Sequence, residues 1–342
     1  MVHLSQRREN NTLESSLLIN SFKTSPAWKT LDEWAFHPLK VDTPLVRSVA
    51  LAQTSGIEQV FFKAEYLQAG NSFKVRGALH KLRALLSQDK RPTVFTASAG
   101  NHGIGLALAA DALGFQAVIY APTTTPEVKK RKILDIGAHL EIAGEDFDSC
   151  ELLAKQACER NDGEYVSSFD DDYIIAGNGG SMAREIEDGF SGDIDGLDIV
   201  VPIGGGGMAA GLAAHFYQKN VRVIGVEPAN NCAMTMSMTD GAYKENYSGT
   251  GSYADGLAGA ISQRTFGLCQ SGLDRVLTVS ETDILQSIRW AYENLGIAIE
   301  GSAAVAIAAL FNNAPALSSR VCLILSGSNI DQTLISKACS SH

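Results

Sequence analysis

A chain of 342 residues, 45% hydrophobic and 19% charged, has room for one large or two modest domains with an ample core. Its net charge of −10 speaks against a nucleic-acid partner, because phosphate binding needs concentrated positive charge. Met1 to Asn11 lacks the apolar centre of a signal peptide and no apolar run is long enough to span a bilayer, so a cytoplasmic protein without a membrane partner is expected.

Residues 1 to about 35 show no clear period and read as an irregular arm, packed in part through Trp28 and Trp34. From there strand and helix signals alternate, which predicts mostly parallel sheets with helices on both faces. Val60 to Ala64 is a strand leading into Asn71-Ser72-Phe73-Lys74-Val75-Arg76-Gly77, and Ala78 to Leu86 reads as helix. Val94 to Ala97, Ala117 to Tyr120 and His139 to Ile142 are strands, each followed by a helix: to Leu113, over Glu127 to Ile136, and over Phe147 to Arg160. These units predict a small α/β domain over 90–170, inserted in a large domain made of 1–89 and 171–342. A second series starts at Tyr173 and includes the strand Leu197 to Ile203, four glycines, a helix to Gln218 and the strand Val221 to Val226. Residues 229 to 265 are glycine-rich and polar without a period, the pattern of a long functional loop. Helices near 281–295 and 302–312 precede a last strand, Val321 to Leu325. The basic run Lys129-Lys130-Arg131-Lys132 reads as a solvated helix face.

Three stretches carry chemistry. Lys74 follows a small hydroxyl residue and an aromatic; a lysine attacks a carbonyl only as the neutral amine, which burial and neighbouring cations favour. Arg76 is a candidate for such a cation, and Phe73 for a wall of the site. Gly204 to Gly207 lies between an apolar strand and a helix start, where glycine lets the backbone approach a phosphate and the helix end offers unpaired N–H groups. Gly204, Gly206 and Ala209 also satisfy a G-x-G-x-x-A fingerprint, with Glu227 ending the next strand at a suitable distance for a ribose hydroxyl. A dinucleotide-binding protein is therefore an alternative, although it leaves Lys74 and Asn101 without a task. Ser98, Ala99, Gly100, Asn101 and His102 form a second loop at a helix N-terminus, suited to a carboxylate, while His102 itself reads as a packed or capping histidine ahead of a direct part in binding. Glu300, between an apolar stretch and Gly-Ser-Ala-Ala, is a candidate for a carboxyl with a shifted pKa.

Rival chemistries lack their signatures. The seven histidines form no H-x-H or H-x-x-x-H pair to hold zinc, no G-x-S-x-G elbow occurs, and the six cysteines form no C-x-x-C pair and read as reduced thiols.

Together, Ser72-Phe73-Lys74-Val75-Arg76-Gly77, Ser98-Ala99-Gly100-Asn101-His102 and Gly204-Gly205-Gly206-Gly207-Met208 resemble the landmarks of fold-type II pyridoxal phosphate enzymes. The nearest branch is the serine/threonine dehydratases (threonine ammonia-lyases), with serine racemase a relative. Thr43-Pro44-Leu45, Ile175-Ala176-Gly177, Gly225-Val226-Glu227-Pro228 and Ser326-Gly327-Ser328-Asn329 extend the resemblance, in family order, from about residue 40 to 331. It implies a two-domain, tryptophan synthase β-like α/β fold with pyridoxal 5′-phosphate in the cleft between domains. Lys74 then occupies the Schiff-base position, and Asn101 faces the cofactor's phenolic oxygen. Gly204, Gly205, Gly206, Gly207 and Met208 surround the phosphate, and Ser326 faces the pyridine nitrogen. Phe73 and Glu300 lie beside the cofactor, and Ser98 to His102 take the substrate carboxylate. A neutral hydroxyl such as Ser326 cannot hold the pyridinium proton as a carboxylate would, so the ring is a weaker electron sink, suited to prompt loss of a β-leaving group.

The implied reaction is α,β-elimination from a 3-hydroxy amino acid of the serine or threonine kind, giving a 2-oxo acid and ammonia, in a homodimer or homotetramer. An amino-acid racemase or a β-replacement enzyme on the same fold is the alternative. Two positions depart from the racemase pattern. Ala233 falls where those relatives carry a second metal-binding acid after Glu227, so weak or absent divalent activation is expected there, with carbonyls left for a monovalent ion and no metal assigned. Ala99 stands where they carry a serine that serves the second face of the substrate, so elimination is expected to dominate. No separate regulatory module is expected after Ser326 to Asn329, the last landmark.

Overall fold

The structure, a computed structural model, describes residues 2–34, 37–125 and 127–340. Its strands are β1 (Leu45–Arg47), β2 (Gln59–Lys63), β3 (Val94–Ala97), β4 (Ala117–Ala121), β5 (His139–Ile142), β6 (Glu164–Tyr165), β7 (Leu197–Pro202), β8 (Val221–Pro228), β9 (Arg275–Val279) and β10 (Arg320–Ile324). One sheet has the order β1-β2-β10-β7-β8-β9, the other β5-β4-β3-β6. All pairings are parallel except that of β1 with β2.

Parallel strands covered by helices on both faces must be apolar throughout. Accordingly β7, Leu-Asp-Ile-Val-Val-Pro, is buried at all six positions. Its one charge, Asp198, is opposite Arg222 of β8 in the register and accepts two hydrogen bonds from that guanidinium, at 2.7 and 2.6 Å. Helix Gly301–Asn313 packs on this sheet; it is buried from Gly301 to Leu310, and its glycine, serine and alanines let the backbone lie close.

The N-terminus departs from the irregular arm expected. Val2–Thr24 is a helix lying against helix Gln263–Gly272, and Ser25 caps a short helix, Pro26–Lys29, by accepting from the Trp28 N–H. Ile19, Phe22 and Trp28 are buried whereas Leu13 and Leu17 are exposed, so the apolar stripe is interrupted and no helical period shows. The side chain of Trp34 lies outside the described residues. Residues 229 to 265 also differ in part, because they include helix Ala233–Asp240.

Beneath the lysine turn lies a buried ionic knot. The Arg76 guanidinium donates to both carboxylate oxygens of Glu65, at 2.7 and 2.8 Å, and to both of Glu185, at 2.7 and 2.8 Å. Lys63 of β2 adds a contact to Glu185 at 2.6 Å. The fork of a guanidinium matches two carboxylates at once, which lysine cannot do. Arg76 is thus occupied by carboxylates, and the altered basicity of Lys74 described below comes from burial, not from this cation as expected. Replacing Arg76 with methionine leaves Glu65 buried without its counter-charge. The expected loss is about 3–5 kcal/mol, read as a lowered urea midpoint of the cofactor-free protein; an unchanged midpoint would show that the knot stabilises nothing.

Candidate active site

The residues that follow β3, β4, β6, β7 and β10 all open onto one cleft of about 1410 Å³. This is the carboxyl edge of both sheets, where parallel α/β folds place their sites.

Lys74 is the first residue of helix Lys74–Leu86. The turn before it is held by the turn after β10: Phe73 N–H donates to the Ser326 carbonyl at 3.2 Å, and Ser328 N–H to the Asn71 carbonyl at 2.9 Å. Half-buried on the cleft wall, Lys74 Nζ donates to the Ser168 carbonyl at 2.9 Å and lies 5.2 Å from the centre of the Phe73 ring. Burial lowers its pKa to about 8, against the opposing pull of Glu300.

Helix Asn101–Leu113 crosses the lysine helix closely because residue 105 is glycine; a Cβ there would lie 2.9 Å from the Lys74 carbonyl carbon. This contact sets Asn101 at the cleft. Its Nδ2 donates to Glu300 Oε1 at 2.7 Å, and its Oδ1 accepts from Asn329 Nδ2 at 2.7 Å. Burial first, then the charge of Asp255, raises the Glu300 carboxyl to about 7. Ser98 turns its hydroxyl to the Gly100 N–H at 3.3 Å, while Ala99 and Gly100 also line the cleft. His102 is buried, with Nε2 donating to the Val166 carbonyl at 3.1 Å; burial and the nearby Lys74 charge hold its pKa at about 3, so the ring is neutral. Its packing matches the plainer of the two expectations for this residue.

On the other side, Gly206 has φ +88°, in the left-handed region that suits glycine, and helix Gly207–Phe216 starts immediately after it. The first N–H groups of that helix have no partner within it and its dipole favours an anion there. Met208 is buried beneath. Ser326 is buried at the cleft, and no described residue hydrogen-bonds its hydroxyl.

Every expected site residue except Arg76, which is held by Glu65 and Glu185, therefore meets in this cleft: Phe73, Lys74, Ser98 to His102, Gly204 to Met208, Glu300 and Ser326 all line it. Sequence reasoning missed Ser168, Phe169 and Ser302, which line it too. Ser167-Ser168-Phe169-Asp170 joins a two-residue strand to a short helix and carries no motif. The expectation that 229 to 265 contributes to the pocket agrees with Tyr243, Tyr247 and Asp255 to Gln263 along its wall.

Glu227 removes the support for a dinucleotide. Both its oxygens accept from the first turn of helix Ala233–Asp240, from Met234 N–H and Thr235 N–H at 2.8 Å and from Thr235 Oγ1 at 2.7 Å. The carboxylate is 1% exposed and turned into that helix, away from any ribose. Among the described residues no group of three or more histidine, cysteine, aspartate or glutamate side chains is placed to hold a metal ion, and no helix is long and apolar enough to cross a membrane.

Fold and site together define a pyridoxal phosphate enzyme of fold type II. A model of the pyridoxal-phosphate dependent enzyme family matches residues 38–327, and the chain belongs to that family. It is 34% identical over 299 residues to the L-threonine ammonia-lyase of Thermotoga maritima, covering 86% of this chain and 73% of that protein. It is likewise 34% identical over 300 residues to the serine racemase of Bos taurus, covering 85% and 88%. The solved structure of the processed form of threonine deaminase isoform 2 from Solanum lycopersicum superposes with a TM-score of 0.81 at 30% identity, over 96% of this chain and 92% of that one. The residues present fit the cofactor. A lysine amine, a left-handed glycine turn at a helix start and a hydroxyl that no described residue bonds are the kinds of group that an aldehyde, a phosphate and a ring nitrogen such as those of pyridoxal 5′-phosphate call for.

Glu300 gives a pH test on the cofactor-free protein. Below its ordinary value of 4.5 the carboxyl is protonated in folded and unfolded chains alike; between there and about 7 the folded chain alone keeps its proton. Stability contributed by this group is therefore lost as pH rises through that window. Glu300→Gln has no charge to bury, so its thermal midpoint relative to wild type should rise from about pH 5 to about pH 8. A difference that does not vary with pH would contradict the assignment.

Proposed function

We propose that the chain is an ammonia-lyase acting on a small 3-hydroxy amino acid of the serine or threonine kind. The α-hydrogen and β-hydroxyl are lost, and hydrolysis of the released unsaturated amine gives a 2-oxo acid and ammonia. The observation that carries this reading is at position 99. In the loop that the family resemblance sets across the substrate from Lys74, Ala99 has no proton to give, and the neighbouring Ser98 hydroxyl is turned to the Gly100 N–H. Racemisation needs an acid–base group on each face; elimination needs the α-proton removed from one.

Pyridoxal phosphate, when bound, supplies the electron sink for charge left at the α-carbon. The chain's own groups do the rest. Lys74 holds the cofactor and takes the α-proton at Nζ; a pKa of about 8 leaves roughly a tenth of its amine neutral at pH 7. Gly204 to Gly207 and the helix start behind them hold the phosphate, and the Asn101 helix start with Ser98 to His102 holds the substrate carboxylate. Asn101 and Ser326 would hold the cofactor's phenolic oxygen and ring nitrogen, Met208 would sit with the glycines at its phosphate, and Phe73 and Glu300 would lie beside its ring. The cleft then lies between a large domain, 1–89 with 171–342, and the inserted 90–170, in a homodimer or homotetramer.

Borohydride reduction of the yellow protein, followed by peptide mapping, should fix the cofactor to Lys74, and Lys74→Ala should lower turnover by about 10²–10⁴-fold. Label on another lysine would sink the assignment. Incubation with L-serine or L-threonine should yield 2-oxo acid faster than the D-configured or epimerised amino acid. Ala99→Ser should raise the share of interconversion; wild-type interconversion faster than 2-oxo acid release would overturn the reading.

A further inference from the structure

The glycines at 205 and 207 were expected to make room for a phosphate. The space beside them is already taken by Phe169. A Cβ on Gly205 would lie 2.3 Å from Phe169 Cγ and 2.4 and 2.7 Å from its two Cδ atoms. A Cβ on Gly207 would lie 2.9 Å from the Phe169 carbonyl oxygen and 3.1 Å from its Cα. Real side chains do not approach so closely, so the loop can fold against Phe169 only as glycine. Nor can the residue easily swing away. Ser167 Oγ accepts from the Phe169 and Asp170 N–H groups at 3.4 and 3.0 Å, Asp170 Oδ1 accepts from Ser262 Oγ at 2.9 Å, and Asp171 pairs with Lys81 at 2.8 Å. One residue earlier, the Ser168 carbonyl takes the Lys74 amine. A single crossing segment thus touches both ends of the site, the amine and the phosphate loop.

We propose that Phe169 is a positioning residue for the cofactor: its ring is the wedge on which Gly204 to Gly207 closes, and Gly205 is glycine because of Phe169 rather than because of the phosphate. The proposal rests on the reading of this loop as the phosphate site. It makes an unusual demand: if the ring is the obstacle, shrinking it should rescue a side chain at 205. If the phosphate is the obstacle, shrinking the ring cannot help.

The test is titration of cofactor-stripped wild type, Gly205→Ala, Phe169→Ala and the double variant with pyridoxal 5′-phosphate, followed by absorbance, with thermal melts of the stripped proteins as a folding control. Gly205→Ala should weaken binding by about 10–100-fold, as overpacking does. Phe169→Ala alone, which removes the wedge, should weaken it by about tenfold. The double variant should bind at least about tenfold more tightly than Gly205→Ala. Should Phe169→Ala fail to fold, Phe169→Val takes its place; it lacks the Cδ atoms and should give a smaller rescue of the same sign. Phe169→Tyr keeps the ring and should rescue nothing. A double variant no tighter than Gly205→Ala, or Phe169→Ala binding like wild type, would overturn the wedge. Wild type that does not bind pyridoxal phosphate at all would overturn the phosphate reading itself.

Discussion

The turn that presents Lys74 is held from outside as well as from within. Asn71 sits at φ 59°, a left-handed conformation that asparagine tolerates, and one local bond, from its N–H to the Gln68 carbonyl at 2.8 Å, closes the turn before it. Its geometry is imposed by residues 326–328, which take up its carbonyl and the Phe73 N–H and form a bridge between Ser72 and Gly327. The same short turn accepts the Glu300 N–H at the Gly327 carbonyl. The amine, the hydroxyl of Ser326 and the carboxyl of Glu300, far apart in sequence, are therefore spaced by three peptide hydrogen bonds. Side-chain packing only refines what those bonds determine.

Burial supplies the electrostatics. Lys74, His102 and Glu300 are each displaced toward neutrality, the lysine and histidine downward and the carboxyl upward, with loss of water as the largest cause in every case. One layer below, Glu65 and Glu185 are paired by Arg76 together with Lys63 and Lys40. A cleft of weakly charged groups resting on a fully paired ionic layer can accept a charged ligand without facing an unpaired buried ion of its own.

Regular elements are legible in the sequence wherever an apolar run is short and bounded by turn residues. Helices Glu127–Ile136, Phe147–Arg160 and Asn101–Leu113 fall at the residues expected, and so do the strands between them. The helix Val2–Thr24 is not legible, since it buries only a broken stripe. The site divides along the same line. Motifs find the groups that perform chemistry, because amines, glycine turns and hydroxyls are restricted in type. They do not find Phe169, whose part is played by shape against a partner thirty-odd residues away, or the destination of Arg76, which depends on Glu185 from a distant helix. Glu227 shows the opposite failure: its position at a strand end suits a ribose, yet backbone N–H groups of the following helix claim it first.

The N-terminal helix reaches further inward than its place in the chain suggests. Leu18 stands over Gly267, where a Cβ would come within 2.9 Å of its Cδ2, and Thr265 on that same helix stands 3.1 Å from where a Cβ on Gly206 would be. Helix Gln263–Gly272 lies between the Leu18 side chain and the glycine turn, and helix Val2–Thr24 also touches helix Gly207–Phe216 that starts there. The arm and the glycine turn therefore lean on the same helix, so the amino terminus forms part of the back wall against which the loop is packed.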